Sequence, residues 1–290
     1  MQPNASPYIP EGVDADTTLK LIAAALAEDF GSGGDITSAA TIPAHVCFTA
    51  NLVARHPMTV AGLGLAGLTF KAVNPNVDWL SEVEDGAQVE AGTVLATVSG
   101  PARDLLGAER TALNMLQHLS GIATLARRYV DAIAGTGATI LDTRKTLPGY
   151  RELAKYAARM GGATNHRMRL DDLVLIKDNH IAAAGSLKQA VQGAKDAGHA
   201  IIEVECDTLD QVREALGFEV DAILLDNMDL QQLREAVALI GDQARTEASG
   251  GVTLDTVRAI AETGVKTISV GRITQSAPAA DIGLDWNAGG

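Results

Sequence analysis

The spacing of apolar residues along the chain changes near residue 103. Before that point FTANLVAR, MTVAGL and VEAGTVLATVSGP carry the short apolar runs that are typical of strands. TLKLIAAALAEDF and LAGLTFKAV instead repeat their apolar residues at helical spacing. Asp16 or Thr17 is the predicted N-cap of the first helix, and residues 1–15 are predicted to form a loose arm. This pattern predicts a mixed α+β domain of about 100 residues.

A long helix and then a regular alternation follow. The helix covers DLLGAERTALNMLQHLSGIATLARRYVDAIAG, and the apolar runs after it are ATILDT, DLVLIKD, AIIEVE, DAILLD, RTEASG and TISVG. Capping boxes at Ser186-x-x-Gln189 and Thr208-x-x-Gln211 begin two of the intervening helices, while Gly198 and Gly264 end two. Continuous apolar strands separated by helices predict a parallel sheet covered on both faces. Because the last four runs start about twenty residues apart, we predict a (β/α) barrel, with a doubly wound sheet as the alternative.

Composition agrees with this architecture and limits the kind of protein. Apolar residues make up 47% of the chain and aromatic residues only 3%, so the core consists mainly of small and branched aliphatic side chains. Cys47 and Cys206 are too few for a disulfide framework, which predicts a reduced cytoplasmic protein. The first residues lack the pattern of a signal peptide, and no apolar run reaches 18 residues. A net charge of -13 argues against nucleic acid or a membrane surface as the general partner.

One segment opposes this acidity. Residues 142–169 contain seven Lys and Arg residues and His166, but only two acids. A local cationic segment in an acidic chain indicates a small anionic ligand rather than a polymer.

Ionisable residues and glycines follow the predicted strands at their carboxyl ends, where barrels bind ligands. The sequence has these groups in strand order: Asp142, Arg144 and Lys145; Lys177; Glu203 and Glu205; Asp226; Ser249, Gly250 and Gly251; Gly271. Arg144, Lys145, Arg167 and Lys177, with His166, are candidates for binding carboxylate, phosphate or pyrophosphate. Glu205 and Asp226 are candidates for holding a divalent metal through its waters, for binding ribose hydroxyls or for stabilising a positive charge. The glycines are typical of phosphate-binding turns.

Several other interpretations remain open at this point. GLGLAG at 62–67 matches a dinucleotide fingerprint, but no second parallel strand follows, so close helix packing is favoured. Lys177 at a strand end would also suit a Schiff-base aldolase. A non-catalytic phosphate sensor is a third class, although it would not need the Glu205 and Asp226 pair. Arg110, Asn114 and His118 form a polar stripe that lies either in solvent or at a subunit interface.

The chain resembles the quinolinate phosphoribosyltransferases, the decarboxylating nicotinate-nucleotide pyrophosphorylases, from about residue 17 to 285. The resemblance is carried by LLGAERTALNMLQHLSGIAT, DTRKTLPGYRELAKYAARMGGATNHR, LIKDNHI, EVE, LLDN, ASGG and ISVGRIT. It implies the fold of type II phosphoribosyltransferases, which is an N-terminal α+β sandwich domain with an incomplete (β/α) barrel. The implied boundaries are 1–125 for the first domain, with 277–290 returning to it, and 126–276 for the barrel. A paralogous enzyme with another ring acceptor is the closest alternative.

The resemblance also implies an activity. Quinolinate and phosphoribosyl pyrophosphate would give nicotinate mononucleotide, pyrophosphate and CO₂ in de novo NAD biosynthesis, with Mg²⁺, in a homodimer that contributes Arg110 across its interface. Arg144, His166 and Arg167 would bind the quinolinate carboxylates, and Lys145 and Lys177 the substrate and pyrophosphate charge. Glu205 and Asp226 would hold ribose or metal, and Ser249, Gly250 and Gly271 the 5′-phosphate.

Two features of the sequence depart from this pattern or are left without a role. Gln275 stands where the family often has a basic residue, so we hypothesise that Arg272 supplies the missing positive charge to the phosphate. Arg151, Lys155 and Arg159 lie four apart on a predicted helix, as a solvated stripe or as a source of general positive potential, and Arg169 has no assigned role.

Overall fold

The structure is a computed structural model that describes residues 8–286. It divides into two compact units. Unit 1 comprises Met1–Leu125, Glu152–Gly162 and Ser276–Gly290, and unit 2 comprises Ala126–Arg151 and Ala163–Gln275. Residues 1–7 of the predicted N-terminal arm and 287–290 of the C-terminal tail lie outside the described residues.

Unit 1 is built on a four-stranded antiparallel sheet with the order β12-β1-β5-β3. A second, two-stranded sheet pairs β2 with β4. The elements of this unit, two of which extend into unit 2, are α1 (Ala15–Phe30), α2 (Ile36–Thr41), β1 (Cys47–Ala54), β2 (Met58–Thr59), α3 (Leu63–Val73), β3 (Asp78–Ser81), β4 (Gln88–Val89), β5 (Val94–Pro101), α4 (Ala102–Ala132), α5 (Arg151–Met160) and β12 (Ile282–Trp286).

Local capping chemistry sets the start of the first helix. The carboxylate of Asp14 accepts the N–H of Thr17, so α1 begins at Ala15, two residues before the predicted caps would allow. Within MTVAGL only Met58–Thr59 form a strand, β2, and Gly62, in a left-handed conformation, is the N-cap of α3. The glycines of GLGLAG serve close packing. A Cβ on Gly64 would lie 2.3 Å from the carbonyl oxygen of Tyr8, so only glycine fits there.

The C-terminal tail returns to unit 1 as predicted. Strand β12 pairs with β1 from Ile282 to Trp286, and Trp286 stacks on Phe48 with ring centroids 4.6 Å apart. The amide of Gln117 on α4 donates to the carbonyl oxygen of Ile282. A Cβ on Gly121 of α4 would lie 2.1 Å from the carbonyl oxygen of Pro278, so the tail passes directly over a glycine.

Helix α5 differs from the predicted division, in which residues 126–276 form one domain. Residues 152–162 belong to unit 1, because Glu152 accepts the N–H of Asp14 and the hydroxyl of Tyr156 donates to Asp85 at 2.6 Å. Arg159 also donates to the carbonyl oxygen of Glu11. Contacts with unit 1 therefore decide where this segment packs.

Unit 2 contains a six-stranded parallel sheet with the order β6-β11-β10-β9-β8-β7, which is the incomplete barrel predicted from the sequence. Its elements are β6 (Thr139–Leu141), β7 (Val174–Ile176), α6 (Asp178–Ala184), α7 (Leu187–Asp196), β8 (Ile202–Cys206), α8 (Leu209–Leu216), β9 (Ala222–Asp226), α9 (Leu230–Ile240), β10 (Arg245–Ser249), α10 (Val257–Ala261), β11 (Thr267–Ser269) and α11 (Arg272–Gln275).

Burial explains the continuous apolar runs of this sheet. Almost every residue of β8 and β9 is buried, as expected for parallel strands covered on both faces. The capping box at Thr208 and Gln211 is complete, and at Ser186 the hydroxyl accepts the N–H of Gln189. Between residues 8 and 286, no helix is both long and apolar enough to cross a membrane.

Candidate active site

A cavity of about 630 Å³ opens among the carboxyl ends of the unit 2 strands. Its lining includes every sequence-predicted site residue of this unit, namely Arg144, Lys145, His166, Arg167, Lys177, Glu205, Asp226, Ser249, Gly250 and Gly271. Arg272, the candidate for the missing positive charge, and the neutral Gln275 line it as well. Arg110 is not among the lining residues; it is an exposed residue of α4 in unit 1.

Two arginines are partly desolvated in this cavity. The Nε atom of Arg144 is buried and has no hydrogen-bond partner. Arg167 donates from Nη1 to the carbonyl oxygen of Leu173 at 3.0 Å. Burial lowers the pKa of Arg167, and the charge of Arg144 lowers it further. Two neighbouring guanidinium groups with unused donors favour a shared anionic ligand, which would relieve their repulsion.

Arg151 connects the two loops that carry these arginines. Its guanidinium donates to the hydroxyl of Thr146 and to the carbonyl oxygen of Met168, both at 3.2 Å, and to the carbonyl oxygen of Arg144 at 3.5 Å. The predicted solvated stripe on this helix is wrong for Lys155, which is fully buried. Arg169 is exposed, and its Nε atom lies 3.8 Å from Asp171.

His166 is held at both ring nitrogens. Nε2 lies 3.3 Å from Oε1 of Glu247 and 3.4 Å from Oε2 of Glu203, and Nδ1 accepts the N–H of Arg167 at 2.7 Å. Burial by itself lowers the pKa of His166, but the two carboxylates raise it to about 9. The N–H at Nδ1 opposes a second proton on the ring. The net direction is upward, because two buried carboxylates face one nitrogen and a single backbone dipole faces the other.

Lys177 and Glu205 form an ion pair inside the cavity. Lys177 follows β7 and is the N-cap of α6, and its ammonium group donates to Oε2 of Glu205 on β8. The Glu205 side chain is 12% exposed and that of Lys177 is 42% exposed, so the lysine extends further toward solvent. The pair leaves the ammonium with free donors for an anion.

Asp226 is positioned by two donors. The hydroxyl of Ser249 and the side-chain amide of Asn227 both donate to its carboxylate. Asn227 and Gly250 both have positive φ angles, and a Cβ on Gly250 would lie 2.1 Å from Oδ1 of Asn227. Gly250 is therefore needed for close approach of the two turns, and Asp226 is fixed relative to the glycine turn that follows β10.

Lys145 crosses over the turn that follows β11. A Cβ on Gly271 would lie 2.8 Å from Cδ of Lys145, and the hydroxyl of Thr274 donates to the carbonyl oxygen of Lys145 at 2.8 Å. The lysine stem consequently lies against Gly271 and beside Arg272 and Gln275, which continue the cavity lining.

Two sets of side chains have the chemistry of cation ligands. Glu205 and Asp226 line the cavity on adjacent strands and offer the carboxylate oxygens that Mg²⁺ prefers, so the donor types present fit this ion. In the described part of the chain, His166, Glu203 and Glu247 also bring ligand atoms within 4.8 Å of one another. Imidazole suits transition metals better than Mg²⁺, so the first pair fits Mg²⁺ better.

Sequence reasoning did not assign a role to Glu203, Glu247 or Arg151. Their spacing in the sequence could have indicated the two glutamates, because side chains two residues apart on a strand lie on the same face of the sheet. Glu203 precedes Glu205 by two residues, and Glu247 precedes Ser249 by two. No local pattern indicated that Arg151 would join two loops.

The fold and the site define an enzyme that binds several anionic groups at the open end of a parallel barrel. Comparison with known families agrees. Residues 35–120 match the N-terminal domain and residues 122–285 the C-terminal domain of quinolinate phosphoribosyl transferase.

Individual relatives cover nearly the whole chain. The nicotinate-nucleotide pyrophosphorylase [carboxylating] of Mycobacterium leprae is 46% identical over 277 residues, covering 93% of this chain and 97% of that protein. The solved nicotinate-nucleotide pyrophosphorylase of Francisella tularensis superposes with a TM-score of 0.91 at 36% identity, covering 95% of this chain and 98% of that one. The Ehrlichia chaffeensis structure gives 0.90 at 38% identity, covering 95% and 100%.

The chain belongs to the quinolinate phosphoribosyltransferase family. The fold class, the family, the reaction and the enzyme class predicted from the sequence are therefore confirmed.

Proposed function

We propose that the cavity of unit 2 binds quinolinate and phosphoribosyl pyrophosphate together and transfers the phosphoribosyl group to the pyridine nitrogen, with loss of CO₂. The observation that carries this assignment is the buried, unpartnered Nε of Arg144 beside Arg167 in a cavity that also holds Lys145 and Lys177. A dianionic pyridine dicarboxylate supplies the acceptors that these donors lack.

The two arginines would bind the quinolinate carboxylates, and the carboxylates would be held ionised by the surrounding positive charge. Arg144 and Arg167 lie on loops joined by Arg151, so their relative positions are set before the ligand arrives. Lys145 and Lys177 would balance the negative charge of the pyrophosphate as it leaves. Ser249, Gly250 and Gly271 would contact the 5′-phosphate through a hydroxyl and backbone N–H groups, which approach closely because a glycine has no side chain.

The bond changes place specific demands on the acids. The bond between C1 of ribose and the pyrophosphate oxygen breaks with both electrons on oxygen, and the pyridine nitrogen then bonds to C1. Positive charge develops at C1 in between, and Glu205 and Asp226 would stabilise it electrostatically. The new pyridinium accepts the electron pair when the adjacent carboxylate leaves as CO₂, and the ring carbon then takes a proton.

Mg²⁺, a homodimer and a cytoplasmic location belong to the same proposal. Glu205 and Asp226 would hold Mg²⁺ through its waters, and the ion would neutralise pyrophosphate charge. Arg110 would enter the cavity of the partner subunit. Its exposure on α4 supports this contact, because its side chain is available to another subunit.

Release of ¹⁴CO₂ from quinolinate labelled in the 2-carboxyl group tests the reaction. We expect release only with phosphoribosyl pyrophosphate and Mg²⁺ present, and its loss with a chelator. Nicotinate as acceptor, followed by nucleotide formation, tests the paralogous alternative. Borohydride trapping with a carbonyl substrate tests the aldolase alternative at Lys177. No release under any of these conditions would refute the main assignment.

Subunit complementation tests the role of Arg110. Arg110→Ala and Arg144→Ala proteins should each be inactive, and unfolding and refolding them together should restore part of the activity. Mixed dimers would contain one site with neither substitution, if Arg110 acts in the partner's site. Activity that stays absent after mixing, with dimers formed, would contradict a shared site.

A further inference from the structure

Two fully buried glutamates lie at a cavity that is built to bind anions, and one of them, Glu247, belongs to its lining. Glu203 on β8 and Glu247 on β10 have no exposed surface. Each precedes a cavity-lining residue by two positions, so their side chains lie on the inner face of the sheet with Glu205 and Ser249. Buried negative charge at this place repels an anionic ligand, so these residues are disadvantageous unless they support something that the ligand needs.

The contacts show what they support. Oε1 of Glu247 accepts the hydroxyl of Ser269 at 2.5 Å and lies 3.3 Å from Nε2 of His166. Oε2 of Glu203 lies 3.4 Å from the same nitrogen, and neither oxygen of Glu203 has a well-aligned hydrogen-bond partner. One imidazole edge is thus enclosed by two carboxylates from different strands, which fix the tilt and rotation of the ring.

The opposite edge of the ring holds the main chain of Arg167. The main-chain N–H of Arg167 donates to Nδ1 of the His166 ring at 2.7 Å. The main-chain N–H of His166 donates to the buried carboxylate of Asp142 at 2.9 Å. Residues 165–173 contain no helix or strand, so these contacts take the place of regular structure in holding the loop. A change in ring orientation would therefore move the backbone from which the Arg167 side chain reaches the cavity.

We propose that Glu203 and Glu247 are positioning residues that hold His166, and through it the main chain of Arg167, in the geometry that binds the substrate carboxylates. This inference rests on the proposed function of the cavity and adds to it two residues that act through His166 rather than on the substrate itself.

Substitution by glutamine keeps the shape of each side chain and removes its charge. In Glu203→Gln and Glu247→Gln proteins we expect KM for quinolinate to rise by about tenfold or more, the scale of one charge-assisted contact. KM for phosphoribosyl pyrophosphate should stay within about twofold, because Lys145 and the glycine turns are untouched. Glu214→Gln, an exposed glutamate of α8 in the same unit, is the matched control and should leave both constants unchanged.

A double-mutant cycle tests whether the glutamates act through the histidine. In a His166→Gln background, Glu203→Gln should add much less than it does alone, because the partner it orients is gone. If Glu203→Gln by itself folds poorly, the same cycle with Glu247→Gln keeps the test informative, because Glu247 contacts the same ring nitrogen. Additive effects would overturn the inference, as would equal increases in both Michaelis constants.

Metal analysis separates this role from a cation site. The purified wild-type protein should contain no stoichiometric metal that Glu203→Gln removes, and finding one would overturn the positioning role. If the wild type releases CO₂ while both glutamine variants match it, only this inference fails. If the wild type releases none, the proposed function fails, and calorimetric binding of phthalate, an unreactive dicarboxylate, then decides whether the glutamates support a dicarboxylate site.

Discussion

The ammonium group of Lys177 donates a hydrogen bond to the carboxylate of Glu205 across the adjacent strands β7 and β8. In the proposed mechanism Lys177 stabilises the leaving pyrophosphate and Glu205 the positive charge at C1, so two groups with complementary roles are already paired before the substrates bind. The hydrogen bond holds each side chain in place against the other. The pairing links the roles of the two residues, so variants of either one are informative about both.

Glu205→Gln should lower kcat by about 10²–10³-fold, the usual cost of removing one electrostatic contact to a transition state. KM for quinolinate should change little, because the amide still accepts a hydrogen bond from Lys177. Steady-state kinetics with both substrates measures the two constants. Glu235→Gln on α9 is an exposed control. An unchanged kcat would remove Glu205 from the catalytic proposal.

Arg144→Lys and Arg167→Lys keep the charge but lose the planar pair of donors. We expect each to raise KM for quinolinate by about 10–100-fold, as hydrogen bonds to charged groups contribute roughly 1.5–3 kcal/mol. Arg169→Lys, at an exposed position beside Asp171, should have no effect. If Arg169→Lys raised KM for quinolinate as much as the other two substitutions, the cationic segment would act through its general positive potential rather than through specific contacts.

Arg272 and Gln275 both line the cavity. Single substitutions can therefore show how much each of them contributes to binding the phosphate. Arg272→Ala should raise KM for phosphoribosyl pyrophosphate by about tenfold, and Gln275→Ala by about two- to fivefold, because a neutral donor contributes less than a charged one. Initial rates at saturating quinolinate measure both. An unchanged constant for Gln275→Ala would mean that position 275 has no phosphate role.

The raised pKa of His166 makes part of the stability depend on pH. The ring binds its second proton more tightly in the folded state than at its ordinary pKa of 6.5, with a folded value of about 9. The stabilisation is thus fully present below about pH 6.5 and is lost as the pH rises through 9. Urea unfolding of the wild type and His166→Gln at pH 6 and pH 10 measures it. The difference in the free energy of unfolding should shrink at the higher pH, and a growing difference would show the opposite sign.

Gly121→Ala tests the packing of the C-terminal tail on α4. Its methyl group would lie 2.1 Å from the carbonyl oxygen of Pro278, so we expect a loss of about 1–3 kcal/mol in stability from overpacking. Gly193→Ala in α7 is the matched control, because nothing lies within 4 Å of its added carbon and alanine favours a helix by about 1 kcal/mol. Thermal unfolding should move in opposite directions for the two variants. Equal changes in melting temperature would indicate that the C-terminal tail moves away from α4 at little cost in stability.

Much of the site was visible in the sequence because of one regularity of parallel sheets. All the strands of a parallel sheet end at the same edge. The residues that follow each apolar run therefore come together at that edge, and this does not depend on the details of side-chain packing. Lys177, Glu205, Asp226 and Ser249 were found in that way, and the structure does place them in one cavity. Arg167 and His166 follow no strand. The cationic composition of residues 142–169 made them candidates, and the resemblance to the family supplied their role.

The sequence by itself determined most of the elements, the parallel sheet, the polar and charged composition of the strand ends and the family. Those properties depend on local periodicity and on residue type, which are read directly from neighbouring positions. Only the tertiary structure decided that α5 packs in unit 1, that Arg151 joins two loops and that Glu203 and Glu247 enclose His166. These are contacts between segments far apart in the chain. Their geometry depends on strand register and on barrel curvature, which no local pattern records.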